Sequence, residues 1–336
     1  MICFNYARFL PQSLESCLAQ TVKPDQIVVV DDGSTDETPS VLADYAARHP
    51  QIQVIRQVNG GISSATNTAL AACTGDVVLI CDSDDTMVPE RLEKVIAKLR
   101  EPIDGHLPGW VHHFLDRFSD TQSGLGYSPY YEGGKGPEGW LAELALRMAS
   151  SPVLATASSL AFRREMLDAI GPLDDDRLMY QDIQLRTIGA LLSPAAYIDE
   201  ALGGYRVHQT SSSAGAMVSL TQIRATRATA VRFDGWLRAQ LDKRNAGASS
   251  LWRRLDDQGG YLWLCFLEKW LSGGAKDLRL LAKVLRHRDT RTGPRQYRIY
   301  YAGALFLPRS AFVAYSQFIF GNNPLKAKAR RLLGRR

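Results

Sequence analysis

Asp82, Asp84 and Asp85 stand within four positions at the end of an apolar run, Val77 to Cys81. Like charges are not normally crowded at the end of a buried strand, so these three must hold something. Along an extended Asp-x-Asp, side chains at alternate positions project to one face. Asp82 and Asp84 are therefore placed to share a ligand. Hard divalent cations prefer oxygen, and magnesium usually takes one or two carboxylates together with substrate phosphates. Asp84 and Asp85 also suit capping of the helix that follows, but a cap accounts for one aspartate and not three.

Asp31 and Asp32 repeat the pattern after "QIVVV", with Gly33 available for a tight turn. An ordinary capped strand-to-helix turn fits that piece equally well. "QVNGGISSATNTAL" sets Gly60 and Gly61 before a helix whose N-terminus would attract phosphate.

These groups need a frame. "LPQSLESCLAQ" places Leu10, Leu14, Cys17 and Leu18 at helical spacing. "QIVVVDDGS" and "DVVLICD" read as buried parallel strands, and "IQVIRQV" as a third. "TDETPSVLADYAARH", with Asp36 as a cap, "SSATNTALAAC" and "PERLEKVIAKLR" read as the helices between and after them. Strand and helix in alternation predict a parallel sheet covered on both faces. Ligands of such sheets bind beyond the carboxyl ends of the strands, where both aspartate groups fall. Residues 102–139 are rich in Gly, Pro and Ser, with one strand-like run at "WVHHFLDRF", and read as a loop or lid. From about Leu220 the pattern is helical.

An apolar fraction of 45% and a charged fraction of 22% over 336 residues fit an ordinary globular chain with a sizeable core. Cys3, Cys17, Cys73, Cys81 and Cys265 are odd in number and match no metal-site spacing, which predicts buried free thiols in a reducing compartment. No basic stretch followed by an apolar one opens the chain, so export is not expected. Residues 276–336 hold fifteen Lys and Arg against Asp277 and Asp289, and the rest of the chain is acidic.

In order and spacing, "NYARFLPQSLESCLAQT", "IVVVDDGSTDET", "NGGISSATNTAL" and "GDVVLICDSDD" closely resemble the family 2 glycosyltransferases. "GPLDDDRLMYQDIQLRTIGA" and "YRVHQTSSSA" extend the likeness over roughly residues 1–215. The resemblance implies an α/β chain of the GT-A (Rossmann-like) fold, a mostly parallel sheet covered by helices. Residues 1–215 would form the transferase domain and 216–336 a helical, basic extension. It further implies that Asp31 and Asp32 contact the nucleotide base and ribose and that Asp82 binds ribose or diphosphate. Asn5, Tyr6, Gly61 and Asn67 would help to bind the donor. Asp84 would be the main metal ligand, for Mn2+ or Mg2+, with His208 as a further contact to metal or diphosphate. Asp182 would be the catalytic base. The dull readings are a helix-end carboxylate for Asp182 and a hydrogen-bonded surface imidazole for His208. The chain departs from the family in three places. Only "MICF" precedes Asn5, so the first strand is short or begins upstream. Gln181 precedes Asp182 where Glu is usual, and Thr66 precedes Asn67 where Arg is usual.

The activity so implied is inverting transfer of a sugar from a nucleotide donor, a UDP-sugar by expectation, to a glycan or lipid-linked acceptor in cell-surface polysaccharide synthesis. A nucleotidyltransferase would want a Gly-rich basic loop near the N-terminus, and a dehydrogenase G-x-G-x-x-G after the first strand. Neither is present. A non-catalytic binding or scaffold protein of the same fold is the alternative from another class. "RIYYAGALFLPRSAFVAYSQFIF" is broken by Pro308 and Arg309 into runs too short to span a bilayer. With "KAKARRLLGRR" after it, the tail suits an anionic membrane surface at the cytoplasmic side. A helical pair packed on the domain is the competing reading. No nucleic-acid-binding module is recognisable.

Overall fold

The computed structural model describes residues 1–128, 135–177, 179–208, 219–245, 247–292 and 295–320. The chain forms two compact units, Met1–His208 and Gln209–Arg336.

The first unit holds strands β1 (Ile2–Cys3), β2 (Ile27–Asp31), β3 (Ile52–Arg56), β4 (Val77–Leu79), β5 (Thr86–Met87), β6 (Trp110–Phe118), β7 (Tyr127–Ser128), β8 (Leu160–Arg163) and β9 (Ala195–Arg206). Its helices are α1 (Leu10–Leu18), α2 (Thr38–Arg48), α3 (Ile62–Ala72), α4 (Arg91–Leu99), α5 (Ala142–Met148), α6 (Arg164–Ile170) and α7 (Gln181–Leu192). Strands β1, β2 and β3 form a parallel sheet in that order, with Val28 opposite Gln53 and Asp31 opposite Arg56. All five residues of β2 are buried. Ile27 and Val29 pack with Leu10, Leu14 and Cys17 of α1, and Val28 and Val30 pack with Ala65 and Ala69 of α3. The unbroken apolar run in the sequence is thus the signature of a strand covered on both faces. Burying each such side chain is worth roughly 1.5–3 kcal/mol, so a charged residue at Val29 would break the layer.

The second sheet runs β4-β8-β6-β9-β5, with β7 on β6. Only β6 and β9 pair in parallel there; β4, β5, β7 and β8 join antiparallel. The sheet of this unit is therefore parallel at β1–β3 and mixed beyond it. A parallel bridge between Ile2 and Asp82 links β1 to the turn after β4. Strand β6 coincides with "WVHHFLDRF", inside the segment read as a loop or lid. Cys3, Cys17 and Cys81 are buried free thiols; Cys73 and Cys265 are free and partly buried.

The second unit is helical among the described residues: α8 (Leu220–Arg244), α9 (Gly259–Leu271), α10 (Leu278–Arg286), α11 (Arg288–Thr292), α12 (Arg295–Phe306) and α13 (Arg309–Phe320). Ser219 and Asp277 cap α8 and α10, accepting from the Gln222 and Leu280 amides at 3.1 and 3.0 Å. Pro308 separates α12 from α13, as the restriction on the residue before proline requires. Trp263, Phe266, Trp270, Tyr300 and Phe312 pack with Leu281 and Val284 into one core. Much of the aromatic content of the tail is thus spent on packing. Among the described residues no helix is long and apolar enough to cross a membrane. The cluster Lys326, Lys328, Arg330, Arg331, Arg335 and Arg336 lies outside the described residues.

Candidate active site

At the end of β2, Asp31 and Asp32 are both buried. Asp31 Oδ1 accepts from the Ser34 amide at 2.9 Å, and Oδ2 lies 3.4 Å from Arg56 Nε. Asp32 accepts three bonds: from Gln57 Nε2 and the Gly60 amide at 2.8 Å each, and from the Gly61 amide at 2.9 Å. The anion at the entrance to α3 is thus the protein's own carboxylate. Gly33 and Gly61 sit at φ 81° and 91°, and a Cβ on Gly33 would stand 2.9 Å from the Asn59 amide nitrogen. Asn5, at φ 56°, accepts from the Thr35 amide at 2.8 Å and gives its own amide to Ser34 Oγ at 2.9 Å. These residues build one rigid rim out of β1, β2 and the chain before α3.

Asn67 does not reach this rim. Its Nδ2 donates to the Leu173 carbonyl at 2.9 Å and its Oδ1 accepts the Leu173 amide at 2.8 Å. Gln184, fully buried, donates to Ser63 Oγ and the Asp174 carbonyl and accepts from the Asp174 amide. Helix α3 therefore latches the loop that leads into α7.

That latch fixes Gln181 and Asp182. Gln181 is buried, accepts from Thr66 Oγ1 and donates to Asp82 Oδ1 at 3.2 Å. Where the family pattern has an acid, this chain has an amide that can donate to a carboxylate. Thr66, in the place of the expected Arg, is the other end of the same chain of bonds. Asp182 lies in the first turn of α7, its Oδ1 accepting from the Ile183 amide at 2.8 Å. Burial pushes its carboxyl up, against the pull of Arg186.

Asp82 is partly buried, and its amide donates to Ser158 Oγ at 2.8 Å. Burial first, then Asp84 and Asp182, push its carboxyl up to about 7. Asp84 Oδ2 stands 2.8 Å from His208 Nε2. Tyr6 packs edge-on to that imidazole, ring centroids 5.8 Å apart, and Phe9 lies against it at 4.6 Å. Burial and the Asp84 and Asp82 charges push the Tyr6 hydroxyl well up. Asp85 points inward, accepting from the Arg206 amide at 2.9 Å; burial with Asp82 and Asp84 raises its carboxyl far above the usual range. The three aspartates thus divide: Asp82 and Asp84 toward the cluster, Asp85 into the frame.

Two buried arginines that the sequence did not single out hold the turn. Arg206 donates to the Asp84 carbonyl at 2.9 Å and to Asp120 at 2.7 Å, and its guanidinium lies over Phe9 and Phe118. Arg91, fully buried, donates to the carbonyls of Ile80 and Leu160 at 3.0 and 3.2 Å. In "VPERLEKV" it reads as an exposed helix residue, and only its place six residues after the last of three carboxylates hints otherwise. A buried cation behind clustered anions lowers the cost of assembling them. A separate cavity of about 500 Å³, lined by Val28, Leu79 and Cys81, borders Asp82 but not Asp84, Asp182 or His208.

The structure brings Asp82, Asp84 and His208 together, with Asp182 near enough to Asp82 to perturb its charge. Among the described residues no group of three or more His, Cys, Asp or Glu is arranged to hold a metal by itself. Asp84 and His208 are two ligands of suitable chemistry, and a cation here would draw its remaining ligands from substrate phosphate and water, as magnesium commonly does.

The chain matches the model of the family described as "Glycosyl transferase family 2" over residues 1–171. It is 32% identical over 207 residues to an uncharacterized glycosyltransferase of Nostoc sp., covering 61% of this chain and 62% of that protein. It is 36% identical over 100 residues to the chondroitin synthase of Escherichia coli, covering 30% of this chain and 15% of that one. The chain thus spans less than two thirds of the length of either relative. In fold it is similar to the mannosyltransferase PcManGT from Pyrobaculum calidifontis, solved with GDP-Man and Mn2+, with TM-score 0.53, 18% identity, and coverage of 100% of this chain and 86% of that one. It is also similar to S. aureus TarS 1-349 in complex with UDP-GlcNAc, with TM-score 0.50, 19% identity, and coverage of 99% and 90%.

Proposed function

This chain belongs to glycosyl transferase family 2 and has the GT-A fold, and on that premise we propose that it transfers a sugar, with inversion, from a UDP-sugar to a glycan or lipid-linked acceptor in cell-surface polysaccharide synthesis. The observation that carries the reading is the convergence of Asp82, Asp84 and His208 with Asp182, contributed by the turn after β4, the residues after β9 and the start of α7. The relatives named above include a polysaccharide synthase, and the two solved structures hold nucleotide sugars.

In this reading Asp84 and His208 would hold Mn2+ or Mg2+ beside the donor diphosphate. The metal, when bound, neutralises charge on the departing nucleoside diphosphate. Asp31, Asp32 and Asn5 shape the rim for base and ribose, and Asp82 faces ribose or diphosphate. Asp182 takes the proton of the acceptor hydroxyl as its oxygen attacks C1 of the sugar. Its raised carboxyl suits that task, since a base works best when its pKa lies near the operating pH. Gln181 and Asn67 position it, the first through Asp82 and the second through the loop at Leu173. No covalent nucleophile is needed for single displacement. A peripheral place at the cytoplasmic face of the plasma membrane belongs to the same reading, resting on the basic composition of residues 276–336. The test is a panel of nucleotide sugars screened for metal-dependent hydrolysis. Release of nucleotide from one donor class, lost on chelation, supports the proposal. No release from any donor, with or without acceptor, counts against it.

A further inference from the structure

The second unit carries a cleft of about 990 Å³ lined by Arg253, Arg279, Lys283, Arg286 and Arg288 against the single carboxylate of Asp257. Five full cations around one concave surface repel one another unless something neutralises them. Arg253 is already neutralised: it makes a two-bond pair with Asp289, at 2.6 and 3.0 Å. Asp257 lies 3.8 Å from Arg253 and 3.7 Å from His287, so it is shared inside the frame. Lys283 donates to the Asp256 carbonyl at 3.4 Å, and its charge also acts on the Asp256 carboxylate, which pairs with Arg254. Among the described residues, Arg279 and Arg286 are exposed and have no carboxylate within ion-pair distance.

Arg279, Lys283 and Arg286 recur at i, i+4 and i+7 along α10, so they form one row on one face. Leu281 and Val284, on the other face, are buried in the core. Helix α10 is thus held by its apolar side while its charged side lines the cleft. Ala282, the small residue beside this row, also lines the cleft. The row is about 10 Å long, seven residues at 1.5 Å each. A single phosphate would have to draw the exposed side chains of the row in to one point. A chain with negative groups repeated along it would not. Guanidinium forks match phosphate oxygens two at a time, the pairing that suits arginine to phosphate recognition.

We infer that this cleft binds a phosphate-bearing polymer, seated along the Arg279–Lys283–Arg286 row. The site goes beyond the transfer reaction proposed above, and binding to it is measured without donor or turnover. A polymer held there would stay tethered to the protein between encounters with the catalytic unit.

The test is titration of the full chain with inorganic polyphosphate, followed by calorimetry at low and at physiological salt. Orthophosphate at equal total phosphate and vesicles containing phosphatidylglycerol are parallel arms. The expected result is polyphosphate binding that weakens with salt and falls about ten-fold or more in the Arg279→Ala, Lys283→Ala, Arg286→Ala triple variant. The Arg279→Lys, Arg286→Lys double variant, which keeps the charges and loses the forks, should bind more weakly than wild type and more tightly than the triple alanine variant. Should the triple variant melt early, the single exposed change Lys283→Glu carries the comparison. Absence of polyphosphate binding overturns the inference. So does equal affinity in wild type and variants, which would assign binding to another basic segment. Orthophosphate binding as tightly, or vesicles binding where polyphosphate does not, would also overturn it.

Discussion

His208 Nε2 and Asp84 Oδ2 stand 2.8 Å apart, although 124 positions separate them in sequence. That contact is a hydrogen bond in which the imidazole N–H donates to the carboxylate, walled by Tyr6 and Phe9, and a cation bound here would take the place of the shared proton. His208→Ala should therefore weaken Mn2+-dependent donor binding by roughly ten- to a hundred-fold, the range seen when supporting groups around a metal are removed. The fold should survive, because the ring is replaced at the rim of the unit and not in its core. Titrating Mn2+ at fixed donor gives the shift. An unchanged metal requirement would return His208 to the role of a hydrogen-bonded surface histidine.

Asp182→Asn keeps the shape and the bond from the Ile183 amide but removes the proton acceptor. Turnover with acceptor should fall by about 10²–10⁴-fold, while donor affinity stays near that of the wild type. Steady-state kinetics paired with donor titration separates the two. Near-normal turnover would assign the base to another residue.

Gln181→Ala cuts the link from Thr66 to Asp82. Asp82 Oδ1 would lose its Gln181 donor while Thr66 Oγ1 keeps the Ile62 carbonyl at 2.7 Å, and an unsatisfied buried group costs about 1–3 kcal/mol. The variant should melt earlier and turn over more slowly, with a loss of donor affinity as well, because Asp82 loses the Gln181 amide that orients it. Gln181→Asn, too short to span both partners, should behave like the alanine variant. A wild-type melting temperature in both would show that this link contributes nothing.

Burial, with the Asp84 and Asp182 charges, pushes the Asp82 carboxyl of the folded protein up to about 7, against the ordinary value of 3.8. Between those values the folded state keeps a proton that the unfolded chain has released. The unfolded state then binds fewer protons, so this group's contribution to stability falls as pH rises from about 4 through 7. Melting curves without metal, compared with Asp82→Asn, should show a flatter pH dependence in the variant across that window. Bound Mn2+ should offset the loss, since metal favours the charged carboxylates. Parallel curves for both proteins would mean that Asp82 ionises normally.

The frame of the site was legible where the signal is local. The apolar run Ile27–Val30 and the helical spacing of Leu10, Leu14 and Cys17 announced β2 and α1, because one covered strand or one helical face writes its own period. Strand β9 was not legible. Asp199 and Glu200 interrupt its apolar run, and its pairing with β6 shifts register between His113 and Phe114. The aspartates announced a site, but their division of labour did not show. That Asp32 clamps Gly60 and Gly61, that Asp85 turns inward to the Arg206 amide, and that Asn67 holds Leu173 are facts of tertiary contact. The Gln181–Asp82 bond spans 99 positions, and no local period encodes it.

Asp84 bears most of the account, since it is the carboxylate that pairs with His208 and faces away from the frame that holds Asp85. The most direct measurement is calorimetric titration of the full chain with UDP-sugar and other nucleotide-sugar donors in the presence of Mn2+, set beside Asp84→Asn and beside a chelated control. Donor binding should require the metal and be lost in the variant, whose melting curve should stay close to that of the wild type. Donor binding of equal strength in Asp84→Asn, or binding indifferent to chelation, would contradict that role of Asp84.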